Sequence, residues 1–206
     1  NILIKNILLG KYFETKGIEN LSELDFFTWV INEKITDEID DIWEKIIVII
    51  KFYDFSSIKE DIFKSIYQDL FDEKTRKILG EVYTPDWLCE YIVTDLYKDN
   101  SIEKTLDPSC GSGGFLRATI SLAIKKGLSA STIIDNIVGF DINPIAVTVS
   151  KVTYALAIKD LLINEDRLIN IPVYLADSLF SPHDQIDLFS EYLFSVELKR
   201  FFSFAN

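Results

Sequence analysis

Three aspartates close apolar runs in this 206-residue chain, and the first opens a glycine-rich turn. Residues 105–116 read TLDPSCGSGGFL. The pattern predicts a short strand at Thr105 and Leu106, an acid, a proline, and then a helix from Phe115. Such a turn at the carboxyl end of a strand is where open α/β sheets bind ligands. Gly111, Gly113 and Gly114 lack a Cβ, so a ligand can approach the backbone closely. The helix start adds free N–H groups that suit a negative group. Residues 137–143, IVGFDIN, predict an apolar strand ending in Asp141, and residues 172–179, PVYLADSL, a third ending in Asp177. In nucleotide-binding α/β units an acid after the second strand hydrogen-bonds ribose hydroxyls.

The residue types narrow the ligand. The dinucleotide pattern G-x-G-x-x-G fails, because its third glycine would fall at Leu116. No GxxxxGK[ST] phosphate loop occurs. Asp107 at the loop entrance would repel a pyrophosphate but suits a cation or sugar hydroxyls. S-adenosylmethionine meets that description: it carries a sulfonium, an ammonium, a ribose and a single carboxylate.

Four segments, in order, resemble the adenine-specific DNA methyltransferases of restriction-modification systems. They are GEVYTP (Gly80–Pro85), LDPSCGSGGFL (Leu106–Leu116), GFDINP (Gly139–Pro144) and ADSL (Ala176–Leu179). The run from Ile66 to Val93 is similar to the lead-in of the larger enzymes of that group. The resemblance implies an α/β, Rossmann-like S-adenosylmethionine-dependent methyltransferase fold with a partial sheet, preceded by an α-helical region. It implies cofactor contacts from Tyr83, Thr84 and Pro85, and from Asp107, Pro108, Ser109, Cys110, Gly111, Gly113, Gly114 and Phe115. Asp141 and Ile142 would meet the ribose end, Asp177 and Ser178 the adenine.

The same family carries a catalytic Asp, Asn or Ser followed by two prolines and an aromatic residue. The prolines here are Pro85, Pro108, Pro144, Pro172 and Pro182, with no two adjacent. No catalytic residue is therefore assigned, and no metal site. With no methionine in the sequence, the chain is expected to be an internal piece of a longer enzyme, inactive alone. It would supply the donor half of the reaction. In such enzymes the target base is rotated out of the duplex, and acceptors in the absent motif would hold the weakly nucleophilic adenine amino group. DNA would be met by other parts of the enzyme, with specificity and restriction subunits as further partners. The net charge of −12 opposes direct DNA binding by these residues. It keeps open a class I methyltransferase acting on RNA, protein or a small molecule, and a non-catalytic cofactor-binding or assembly module. A hydrolase reading from Ser112, Asp141 and His183 fails on its motif, since the first glycine of G-x-S-x-G would fall at Cys110.

The supporting elements follow from periodicity. Residues 1–79 are expected to form an acidic helical region, with apolar positions such as Ile39, Ile42, Trp43, Ile46 and Ile47 at helical spacing and helix starts at Thr36 and near Ser57. Residues 80–206 form the cofactor-binding part. Thr84 is expected to cap a helix with Pro85 at its first position, running to Tyr97. Further helices are expected over Phe115–Lys126 and Pro144–Leu162, and one near Glu191–Phe202. Apolar content of 48 % suits a globular core, and the longest apolar run, Ile46–Ile50, is too short to span a bilayer. No signal peptide is visible, so a cytoplasmic location is expected, with Cys89 and Cys110 as free thiols.

Overall fold

The computed structural model describes residues 6–7, 9–22, 36–52, 84–98, 101–164 and 168–179. Ser57 to Tyr83, and Pro182 to Asn206 with His183, lie outside the described residues, as does the proposed helix near Glu191. The elements are α1 (Lys11–Glu14), α2 (Thr36–Ile50), α3 (Asp86–Leu96), β1 (Thr105–Asp107), α4 (Gly114–Lys125), α5 (Ala130–Asn136), β2 (Ile137–Asp141), α6 (Pro144–Ile158) and β3 (Val173–Leu175); a 3₁₀ turn, Lys159–Asn164, extends α6. None of these helices is long and apolar enough to cross a membrane.

Three parallel strands form the sheet in the order β1-β2-β3. Parallel strands need crossovers, and α4 with α5 supplies the first and α6 the second. Leu106 pairs with Val138, and Phe140 with Tyr174. All five β2 residues are buried, as a central strand requires. Alternation sends Ile137 and Gly139 to one face and Val138 and Phe140 to the other. On the first face Ile137 joins Leu116 and Ile120 of α4, Ile133 of α5, Val147, Tyr154 and Ile158 of α6, and Val173 of β3. On the second, Phe140 meets Tyr174 edge to face at 6.3 Å.

Two local details place the helices tightly. A Cβ on Gly139 would lie 2.6 Å from Leu116 Cδ1, so the glycine lets α4 settle on β2. The Tyr154 hydroxyl, fully buried, reaches the carbonyls of Ile133 and Ile137 at 3.1 Å each and pins the α5–β2 junction.

A short segment before the sheet, Gly17–Asn20, is bonded to the approach to β3. Ile18 bridges Ile169 in parallel, and Asn20 hydrogen-bonds both the N–H and the carbonyl of Ile171. Helix α2 begins at Thr36, as its sequence suggests, and exposes Ile42, Val48 and Ile49.

The sequence boundaries shift in three places. Helix α3 starts at Asp86, with Pro85 as its cap at ψ 143° and no side-chain capping bond from Thr84. The helix from Pro144 ends at Ile158 and tightens into the 3₁₀ turn that reaches Leu162. Helix α5, with Ser129 accepting from the Thr132 N–H, has no counterpart in the sequence reading.

Candidate functional site

The carboxyl ends of the strands gather the acids. Strand β1 ends on Asp107 and β2 on Asp141; Asp177 follows β3 by two residues. The Ala176 N–H donates to the Asp141 carbonyl at 3.0 Å, which keeps the Asp177 segment beside β2. Asp177 Oδ1 accepts from the Leu179 N–H at 2.9 Å, and Ser178 is exposed.

The glycine loop connects Asp107 to α4. Cys110 N–H donates to the Phe140 carbonyl at 2.8 Å, and Gly113 N–H to the Cys110 carbonyl at 2.8 Å. Gly111 has φ +53° and Gly113 φ +88°, both in the left-handed region. Their surroundings differ. A Cβ on Gly111 would meet nothing within 4 Å, whereas one on Gly113 would lie 2.7 Å from Ser150 Oγ and 3.3 Å from Ser150 Cα. Gly111 therefore keeps the open side of the loop clear, and Gly113 lets α4 approach α6. Gly114 approaches α3, since its Cβ would sit 3.4 Å from Cys89 Sγ.

Asp141 is buried and holds the loop. Its Oδ2 accepts from the Gly111 N–H at 2.8 Å and its Oδ1 from the Asn143 N–H at 2.9 Å. It does not cap α6: Asn143 does, accepting from the Ile145 N–H at 2.9 Å with Pro144 in the first turn. Each carboxylate oxygen has a second lone-pair site, so both remain able to accept from a hydroxyl. Ile142, beside it, is 69 % exposed, an apolar surface at the rim.

Asp107 is less well satisfied. Its Oδ1 accepts from the Ser109 N–H at 3.2 Å, while Oδ2 is buried without a hydrogen-bond partner. Burial pushes its pKa above the ordinary carboxylate value; the Ser109 bond opposes this and the Asp141 charge adds to it. A cation or donor beside Asp107 would relieve both the burial and the repulsion.

Cys110 is not a nucleophile here. Burial pushes its thiol up to about 12, which a neighbouring Ser150 hydroxyl opposes only in part. Neither cysteine forms a disulfide, and both are buried.

Helix α3 brings Thr84 and Pro85 to this end of the molecule. Cys89 and Val93 pack on Ala118 of α4, with Phe115 against them. Arg117 lies 3.2 Å from Asp86 and 3.7 Å from Glu90. The Tyr97 hydroxyl and Thr105 Oγ1 are 2.6 Å apart, which ties the far end of α3 to β1. Pro108 and Ser109 are exposed at the turn. Tyr83 falls outside the described residues. Sequence reasoning did not find Ser150 or Asn143: a serine inside a helix carries no loop signal, whereas Asn143 before Pro144 is a helix-cap signal that was passed over for Asp141.

A parallel sheet with acids at its carboxyl ends and a glycine loop opening a helix defines an α/β domain, with that loop where open α/β sheets bind ligands. Residues 58–195 match the N-6 DNA methylase family, and the chain belongs to it. Membership implies a methyl-donor cofactor. A curated relative, the type I restriction enzyme MjaIX methylase subunit of Methanocaldococcus jannaschii, is 31 % identical over 153 residues, 64 % of this chain. The chain spans 26 % of that relative's length. Among solved structures it resembles a chain of a DrdV–DNA complex determined by cryo-electron microscopy, at 14 % identity and a TM-score of 0.45 over 60 % of this chain and 14 % of that one. It also resembles a nuclease-deletion mutant of the type ISP restriction-modification enzyme LlaGI in complex with a DNA substrate mimic, at 16 % identity and a TM-score of 0.44 over 77 % of this chain and 16 % of that one.

Proposed function

We propose that this chain is the S-adenosylmethionine-binding part of a DNA methyltransferase that modifies the exocyclic amino group of adenine within a restriction-modification system. The observation that carries the cofactor assignment is Asp107, a carboxyl at the mouth of the glycine loop with one buried oxygen left without a partner. A cationic ligand fits there and a pyrophosphate does not.

The residues present fit the group. Asp107 offers an anion to its ammonium and sulfonium end, the open side of Gly111 admits it against the backbone, and the spare lone pairs of Asp141 suit the ribose hydroxyls. Ile142 and the Asp177–Ser178 turn would flank the adenine, and Tyr83, Thr84 and Pro85 would close the other side. When bound, S-adenosylmethionine supplies an activated methyl group. The chain's own contribution is positioning: the loop is latched by Asp141 and backed by Ser150, and holding a reactant in a fixed geometry is worth several kcal/mol in group transfer.

The proposal extends to the surroundings. DNA is met through parts of the enzyme other than this acidic chain, alongside specificity and restriction subunits, in the cytoplasm. The test is titration with S-adenosylmethionine and with S-adenosylhomocysteine by calorimetry, first on the parent and then on Asp107→Asn. Removing a charge-assisted contact should weaken S-adenosylmethionine binding by roughly 10- to 150-fold. No heat from the parent with either compound, or equal affinity in the variant, refutes the assignment.

A further inference from the structure

We propose that Asn20, outside the ligand pocket, is a positioning residue for it: the strap Gly17–Ser22 clamps the two elements that support the cofactor site. The proposal rests on the cofactor reading above.

The clamp is built on three sides. The Ile169 N–H donates to the Gly17 carbonyl at 2.8 Å, and the Glu19 N–H to the Ile169 carbonyl at 2.9 Å. Asn20 then continues this ladder with its side chain. Its Oδ1 accepts from the Ile171 N–H at 2.7 Å and its Nδ2 donates to the Ile171 carbonyl at 2.9 Å. A primary amide carries both a donor and an acceptor, so one side chain satisfies both groups of residue 171. The third side is α6. Lys151, only 3 % exposed, donates from Nζ to the Asn20 carbonyl at 2.7 Å. Ile18 and Leu21 bury their apolar surface beside these bonds.

Each anchor leads to the pocket in one step. Ile171 precedes Pro172, whose carbonyl accepts from the Gly139 N–H at 2.9 Å, and then β3, which leads to Asp177 two residues beyond its end. Lys151 follows Ser150, the residue against which Gly113 is seated. The strap therefore sets the spacing between β3 and α6, and through it the relation of the Asp177 turn to the glycine loop. A segment that fixes two walls of a site couples to whatever fills the site, and that coupling is reciprocal.

The experiment is calorimetric titration of the chain with S-adenosylmethionine, run well below the melting temperature of each variant. Asn20→Ala should weaken binding by about 5- to 20-fold. Glu19→Ala, which removes only an exposed side chain from the same strap, should bind like the parent. Tyr154→Phe removes a hydroxyl bonded at the α5–β2 junction without touching any hydrogen bond of the strap, and serves as the control for stability alone; its affinity should stay within about twofold of the parent. Equal weakening in Tyr154→Phe and Asn20→Ala would reduce the effect to general destabilisation and overturn the proposal. Parent-like affinity in Asn20→Ala would overturn it too, while leaving the cofactor reading intact. A parent that gives no heat removes the cofactor reading, and the proposal with it. Should Asn20→Ala fail to fold, hydrogen exchange on the parent decides. S-adenosylmethionine should slow exchange at the Ile169 and Ile171 amides, and unchanged exchange there refutes the coupling.

Discussion

Gly113→Ala should harm the fold through two separate penalties, and Gly111→Ala through one. Both glycines sit in the left-handed region, at φ +88° and +53°, where an L-residue costs about 1–2 kcal/mol. At Gly111 the new methyl would enter open space. At Gly113 it would lie 2.7 Å from Ser150 Oγ and 3.3 Å from Ser150 Cα. Ser150 is fully buried, so its hydroxyl has little room to turn away, and the Cα belongs to the α6 backbone and moves only with the helix. Overpacking of that kind adds roughly 1–3 kcal/mol, so Gly113→Ala should cost about 2–5 kcal/mol in all, a large part of the stability of an ordinary domain. For a chain of this size that is a fall in melting temperature of roughly 4–20 °C, against about 2–8 °C for Gly111→Ala. Circular dichroism melts of the two variants and of Gly113→Ala/Ser150→Ala measure it. The double variant should recover about 1–2 kcal/mol, because the nearest clash is gone. Equal melting temperatures for the two single variants, or strict additivity in the double, would refute the division of labour between the glycines.

Asp107→Asn should stabilise the ligand-free protein at neutral pH while weakening cofactor binding. Because burial raises the folded-state pKa of Asp107, its contribution to stability is intact below the ordinary value of 3.8 and is lost as pH rises through the raised value. Melts of parent and variant from about pH 4 to neutrality should therefore diverge in favour of the variant, and parallel curves would count against a buried, unpaired carboxylate. Tyr154→Phe should cost about 1–3 kcal/mol in chemical denaturation, since two buried carbonyls lose a hydroxyl that both can share; a loss below about 0.5 kcal/mol would show that water replaces it. The chain alone should transfer no tritiated methyl group to genomic DNA and should bind DNA poorly even at low salt, given its charge of −12 and its lack of adjacent prolines. Turnover above background would mean that the acceptor site lies within these residues.

The loop and the strand ends were legible because glycine, proline and aspartate act locally. Asp107 and Asp141 end their strands as read, and the helix after Gly113 begins one residue before the predicted start. Contacts between distant segments were not legible. Asp141 reads as a ribose ligand in a linear sequence, and only the fold shows both of its oxygens engaged with backbone N–H groups of Gly111 and Asn143. Gly113 reads like Gly111 until Ser150 is brought against it from 37 positions along the chain. Asn20 lies in a stretch that matches no motif, since a side-chain amide pairing with one peptide unit leaves no periodic trace. The end of α6 was overestimated because Leu161 and Leu162 continue its apolar pattern, although the backbone there has already tightened into a 3₁₀ turn.

The bonds between Asn20 and Ile171 join residues 151 positions apart, and this separation has a consequence in time. During synthesis at about 5–20 residues per second, Asn20 is made roughly 8–30 s before Ile171. For that interval Ile18 and Leu21 have no β3 lead-in to cover them, and the strap stays open to proteases or chaperones. Limited proteolysis of stalled chains should find it cut before residue 171 emerges and protected afterwards. A segment made well before the sheet is thus among the last to be secured.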